Sequence, residues 1–417
     1  MIDPDSLNVW HADRLVGYLW RDAHNRMGFR YDEAWLEDGF RLSLRLPLRP
    51  APFPPEEVSA HAFFSNLLPE GGARERLLRA RRLSDNDFVL LREFGGDCAG
   101  ALSILPVEAE PRLSAGYTPL TDEALHRLVL QHGRGAYLPQ RDEPQPRLSL
   151  AGAQDKCPVL REQGRYALPT GAAASSHILK FQVDEFADVP VNEAFMNRLA
   201  RATNLPVPET VLERSGDEHF LVVRRFDRYR EPDGSLHRLH QEDLFQALGP
   251  ERYRGKYEME GGPSFADCAH LIREVSEEPI TDLRALLQWL VFNVLAGNAD
   301  GHAKNLAIYQ VEPESNRWRL APFYDLVCTR AIDGIDTRLA MGIGGEFEPE
   351  RITDEHWRAL ARNSGLPTRL VTSVREEMGE RLREVMEPER QRFEAEFGHE
   401  IAKKGTVPFL LFAQPVR

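Results

Sequence analysis

Asp300 and Asn305 stand five positions apart in the run Gly297-Asn298-Ala299-Asp300-Gly301-His302-Ala303-Lys304-Asn305. A carboxylate so placed can take the proton of an attacking hydroxyl, and a carboxamide oxygen five residues on can hold a magnesium ion against nucleotide phosphates. That is the chemistry of phosphoryl transfer, in which a protein supplies mainly positioning and charge. Asp and Asn also gather in turns for local reasons, so the pair alone leaves an ordinary turn open. What matters is whether the other parts occur, and in what order.

A second metal ligand is expected a short hairpin downstream, and Asp325 follows the apolar run Ala321-Pro322-Phe323-Tyr324. Leu326-Val327 stands where a protein kinase has Phe-Gly, and a plain turn after Pro322 is the competing reading of Asp325. Upstream, Ser176-His177-Ile178-Leu179-Lys180-Phe181 reads as a strand carrying a Lys, whose fixed ammonium could bridge phosphates. Glu193 lies in the first turn of a helical pattern over residues 191–200, where it could pair with Lys180 or simply favour a helix N-terminus. Ala151, Gly152, Ala153, Gln154, Asp155 and Lys156 form a small-residue loop whose amides could face phosphate oxygens. It matches neither standard glycine-rich phosphate motif, and by itself it reads as a turn between strands.

These residues need elements to hold them. Apolar Leu283, Leu286, Leu287, Leu290, Val291, Val294 and Leu295 trace one stripe of a helix, with Thr281 or Asp282 as its expected cap. Gly297 and Asn298 terminate it, so Asp300 is expected on a loop carried by a buried helix, followed by a strand over residues 306–309.

In this order the motifs resemble the HipA family of bacterial serine/threonine kinases. They are SLAGAQDK at 149–156, HILK at 177–180, RRFDR at 224–228, HQEDLFQALG at 240–249, NADGHAKN at 298–305 and PFYDL at 322–326. FFSNLLPE at 63–70 resembles the small domain that precedes the kinase there, and the likeness runs from about residue 7 to about 398. The resemblance implies an α+β, protein-kinase-like bilobal fold, with a β-rich small lobe and a helical large lobe behind a small β-rich N-terminal domain. It implies ATP and Mg2+ as cofactors, Asp300 as catalytic base, Asn305 and Asp325 on the metal, and Lys180 on the phosphates. Backbone groups of Arg224, Arg225 and Phe226 would meet the adenine, while His302 and Tyr324 would lie in the nucleotide site. His302 alone is more often a structural hydrogen-bonder. Further implications are inactivating autophosphorylation at Ser149 and a protein substrate of the aminoacyl-tRNA synthetase class, such as the glutamyl enzyme. A HipB-type DNA-binding antitoxin would be the partner, with DNA reached only through it. A small-molecule kinase and a catalytically silent antitoxin-binding corepressor stay open, since related folds serve several chemistries.

Composition agrees with a globular chain. Its 417 residues are 42% hydrophobic and 28% charged, enough for two or three domains. The expected divisions are 1–108 for the N-terminal domain, 109–146 for a connector, 147–398 for the kinase-like domain and 399–417 for a tail. No apolar run approaches the ~20 residues of a membrane helix. The acidic start lacks a signal-peptide core, so a cytoplasmic chain is expected. Four cysteines without C-x-x-C spacing read as free thiols. The formal charge of −13 argues against a protein that coats nucleic acid, whose affinity rests on basic phosphate contacts.

Overall fold

The computed structural model describes residues 6–111, 115–133, 154, 156–182, 186, 188–312 and 315–410. Three units follow along the chain, each around its own apolar core.

The N-terminal unit folds β1 (Ser6–His11), β2 (Arg14–Arg21), β3 (Met27–Tyr31), α1 (Glu33–Asp38), α2 (Ser59–Ser65), α3 (Gly71–Arg81), α4 (Asp87–Phe94) and β4 (Leu102–Pro106). Its antiparallel sheet has the order β3-β2-β1-β4. The alternation at residues 40–46 predicts a strand, and the structure corrects this. Phe40, Leu42 and Leu46 are buried as the alternation demands, yet Ser43 and Leu46 close only an isolated bridge. The backbone turns there because Ser43 Oγ and the Leu44 amide donate to Glu242 of the helical lobe, at 2.7 and 3.1 Å.

The small lobe comprises β5 (Gly116–Pro119), α5 (Asp122–Leu130), β6 (Lys156–Glu162), β7 (Arg165–Thr170), β8 (His177–Lys180), α6 (Val189–Ala202), β9 (Thr210–Ser215) and β10 (Glu218–Arg224). The six-stranded sheet runs β5-β7-β6-β8-β10-β9. The segment expected to be a connector therefore supplies an edge strand and a helix to this lobe. β5 alternates half-buried and exposed residues, as an edge strand with one face on the sheet does.

β11 (Arg228–Arg230) and β12 (Leu236–Arg238) form a hairpin that leads to the helical lobe. There, β13 (Gln241–Asp243) enters α7 (Leu244–Leu248), followed by α8 (Phe265–Val275) and α9 (Pro279–Ala296). Next come β14 (Ala307–Gln310), β15 (Trp318–Leu320), α10 (Asp354–Ser364), α11 (Thr368–Phe397) and α12 (His399–Leu410). The fold is α+β and kinase-like, with α9 at the centre of the large core.

α9 begins earlier than its apolar stripe suggests. Pro279 opens it after Glu278, since a proline lacks only the N–H that a first turn leaves unpaired anyway. Asp282 is not the cap. It is buried inside the first turn, where Arg319 (2.8 Å), the Leu320 amide (2.9 Å) and Ser276 Oγ (2.5 Å) all donate to it. Gly297 ends the helix at φ +73°, a left-handed conformation that glycine takes without steric cost. Beyond residue 398, α12 packs on α6, with Lys404 paired to Asp188 at 3.1 Å.

Candidate active site

Two β-strands aim their lysines at one carboxylate. Lys156 on β6 pairs in register with Lys180 on β8, so the two cations are direct cross-strand neighbours. Like charges so placed repel, and an anion between them resolves the repulsion. That anion is Asp325, which ion-pairs with Lys180 and accepts from Lys156 Nζ at 3.4 Å. Lys180 also donates to Glu193 Oε1 at 2.5 Å, across to α6. Burial disfavours the Lys180 charge, but Asp325 and Glu193 outweigh it and raise the ammonium above the ordinary lysine range. Burial likewise works to raise Asp325, yet Lys156 and Lys180 hold its carboxyl below the usual carboxylate range. The Asp325 backbone is left-handed at φ +55°, an uncommon state for a residue with a Cβ but one that Asp tolerates better than most.

The loop after α9 supplies the other side. Asn298 Oδ1 accepts from the Asp300 amide at 3.2 Å, and the Ala299 amide donates to Thr329 Oγ1 at 2.7 Å. Asn305 Nδ2 donates to the Asp300 carbonyl at 2.9 Å and closes the loop, leaving its Oδ1 as the atom that would meet a cation. Tyr257 Oη donates to Asp300 Oδ1 at 2.7 Å; burial and the Asp300 charge push this phenol up, so it stays a donor at neutral pH. Lys256 Nζ lies 3.8 Å from the same oxygen, and His302 Nε2 lies 3.5 Å from it. Burial lowers His302 to about 4, so its ring is neutral near pH 7.

Asp300, His302, Asn305, Tyr324, Asp325, Lys156, Lys180, Gln154 and Arg224, Arg225 and Phe226 line one cleft of about 470 Å3 between the lobes. Phe226 stacks on Tyr324, with centroids 5.8 Å apart at 18°. The Arg225 side chain points away from this aromatic pair, into a buried ionic cluster with Asp97 and Asp227. Arg224 is exposed and pairs with Glu209 at 3.0 Å. Ala151, Gly152, Ala153, Asp155 and Ser149 lie outside the described residues. Among the described residues no three His, Cys, Asp or Glu side chains cluster to hold a metal alone. The Asp325 carboxylate and Asn305 carboxamide are hard oxygen donors, a partial set that fits magnesium completed by phosphate oxygens and water.

Residues 7–105 match the family model for the HipA N-terminal domain, and residues 148–386 match that for the HipA-like C-terminal domain. The chain belongs to the HipA family. It is 40% identical over 402 residues to the Y4mE protein of Sinorhizobium fredii, covering 91% of this chain and 92% of that one. It is 29% identical to the serine/threonine-protein kinase toxin HipA of Shewanella oneidensis, covering 88% and 85%. Among solved structures, the HipA of Shewanella oneidensis in complex with HipB and its operator DNA superposes with a TM-score of 0.80 at 27% identity, covering 98% of each chain. The protein is thus a HipA-family kinase, and among its described residues no helix is long and apolar enough to cross a membrane.

Sequence reading missed several residues of the HipA cleft. Tyr257 sits in an irregular stretch with no periodic signal, and Glu70 and Asn66 belong to the N-terminal unit. FFSNLLPE singles out these last two as a motif, although nothing in it says that they reach Lys304, on the loop between Asp300 and Asn305.

Proposed function

We propose that this protein is an ATP-dependent serine/threonine-protein kinase, the toxin half of a toxin–antitoxin pair. The observation that carries the reading is the Lys180–Glu193 pair, 2.5 Å apart and tied to Asp325, in the cleft that also holds Asp300 and Asn305. Lys156 and Lys180 would ground the nucleotide phosphates. Asn305 and Asp325 would hold magnesium, which when bound neutralises charge developing on the transferred group. Asp300 accepts the hydroxyl proton as the substrate oxygen bonds the γ-phosphorus; the bond to the β–γ bridging oxygen breaks, and ADP leaves.

The finer parts of the proposal rest on family likeness. The acceptor is a protein Ser or Thr, by resemblance on an aminoacyl-tRNA synthetase such as the glutamyl enzyme, so that translation stops and dormancy follows. A HipB-type antitoxin neutralises the kinase; in the Shewanella complex such a partner is present with DNA. Ser149, ahead of the small-residue loop, would be self-phosphorylated. Its added charge of about −1.5 to −2 would oppose the ATP phosphates and shut the enzyme off.

Incubation of the purified chain with labelled ATP, magnesium and host lysate tests the reading. A labelled synthetase band and phosphate on Ser149 by mass spectrometry are the expected results. Label appearing only on small metabolites would move the protein to the small-molecule kinases.

A further inference from the structure

The motif at residues 63–70 reaches the catalytic loop directly. Lys304, within the loop that spaces Asp300 from Asn305, ion-pairs with Glu70 and donates to Asn66 Oδ1 at 2.6 Å. Asn66 is itself oriented: its Nδ2 donates to the Ala62 carbonyl of α2 at 2.7 Å, which turns Oδ1 toward the ammonium. Lys304 Nζ lies over the Phe245 ring, 5.6 Å from its centroid, and only 11% of the side chain is exposed. The Lys304 carbonyl accepts from Tyr324 Oη at 3.2 Å, one residue before Asp325. Beside this contact, Gln246 Nε2 donates to the Phe63 carbonyl at 2.9 Å, so α7 and α2 are fastened as well.

The turn at residues 303–305 is a single 3-10 turn, too short to be rigid alone. It is pinned at its backbone by Tyr324 and at its side chain by another domain. Asn66, Glu70 and Lys304 all line the cleft, which an ordinary interdomain ion pair has no need to do.

We propose that Asn66 and Glu70 are positioning residues for phosphoryl transfer: through Lys304 they fix the turn that sets Asp300 against Asn305. The N-terminal domain is then a working wall of the kinase cleft, and whatever lifts it loosens the catalytic loop. This rests on the kinase reading of the same cleft. Lys156, Lys180 and Asp325 are held by other groups, so the larger consequence falls on turnover and the smaller one on magnesium-dependent affinity, through Asn305 in the same turn.

The test uses the full chain with Mg-ATP and self-labelling as the readout, in Glu70→Ala, Lys304→Met and the double variant. A small misplacement of reacting groups is costly, so each single variant should lose roughly 10- to 100-fold in kcat. The calorimetric Kd for metal-free ATP should stay within about twofold, because neither residue holds the nucleotide, while KM for Mg-ATP should rise by less than kcat falls, since Asn305 lies in the loosened turn. The double variant should be no worse than the singles, because the two side chains act as one unit. Amide exchange at residues 300–306 should quicken in every variant, and Glu70→Asp should restore part of the rate. Wild-type kcat in Glu70→Ala, or additive losses with unchanged exchange, would overturn the assignment. A wild-type chain that binds Mg-ATP and transfers nothing would overturn the kinase reading, and this proposal with it.

Discussion

Asp97 of the N-terminal domain and Arg228, just past the segment joining the two lobes, pair at 2.9 Å with both side chains almost wholly buried. Arg238 and Ser175 also donate to Asp97, at 2.9 and 2.5 Å, while Arg225 and Arg228 share Asp227. Burial opposes the Asp97 charge, but Arg228, Arg225 and Arg238 overcome it and hold the carboxyl below its ordinary range. A buried network of this kind is weak evidence of net stability, yet removing one partner strands the others without solvent.

Asp97→Ala should therefore cost about 3–5 kcal/mol in urea unfolding. It should also expose the interface between the N-terminal domain and the lobes to proteolysis. A loss under about 1 kcal/mol would mean that water or neighbouring groups satisfy the arginines, and that Asp97 does not fasten the domains.

Asp300→Asn should lower phosphoryl transfer by about 10²–10⁴ while leaving the fold and Mg-ATP affinity near wild type. The substitution keeps the acceptor for Tyr257 and removes only the carboxylate that takes the proton. Single-turnover measurements with labelled ATP would check it. A loss of only a few-fold would show that another group is the base.

The loop from Asp300 to Asn305 was legible in the sequence because its relations are local. Asp300, His302 and Asn305 sit in one loop, and Gly297 announces the helix end that presents it. Lys180 and Asp325 were legible only through their order along the chain, since each needs a strand or hairpin to bring it home. Asp97, Tyr257 and Glu70 were not legible as site residues: their partners lie far along the chain, and no periodicity records such a contact. The alternation at residues 40–46 misled for a related reason. It reported burial correctly, but Glu242, 199 residues from Ser43, decided how the backbone would run.

Asp325→Ala should weaken Mg-ATP binding by at least roughly tenfold, the order expected when a metal ligand is lost. It would also leave Lys156 and Lys180 facing each other without their shared anion. Calorimetric titration with ATP in magnesium and in EDTA separates the two effects. The metal role predicts that the variant loses most of the magnesium dependence, whereas charge repulsion alone predicts tighter metal-free ATP binding with that dependence intact. Unchanged affinity for Mg-ATP would remove Asp325 from the metal site.

The last prediction concerns pH and the seam between the domains. Burial pushes the Glu242 carboxyl up to about 7, although Ser43 and Leu44 donate to it; the nearby Asp243 charge raises it further, while Arg41 works the other way. A carboxyl whose folded-state value lies above its unfolded value near 4.5 binds its proton more tightly when folded. The stability it contributes is complete below pH 4.5 and is lost as pH rises through about 7. Asp243, also raised by burial to about 7, adds in the same direction. Asp97 and Asp325, held low by their cations, act in the opposite sense and only in acid. The imidazoles of His11, lowered by burial to about 3, and of His177, His240 and His302, each lowered by burial to about 4, act in that opposite sense within this window. The histidines are common to wild type and variant, so the Glu242 contribution is read from the difference between the wild-type chain and one that cannot ionise at this position. Glu242→Gln cannot ionise yet keeps the shape and an acceptor for the Leu44 amide, so between pH 5 and pH 8 the wild-type thermal midpoint should drop relative to that of the variant. Scanning calorimetry of both chains at fixed ionic strength would decide. Parallel slopes for the two proteins would show that Glu242 does not titrate across this interval.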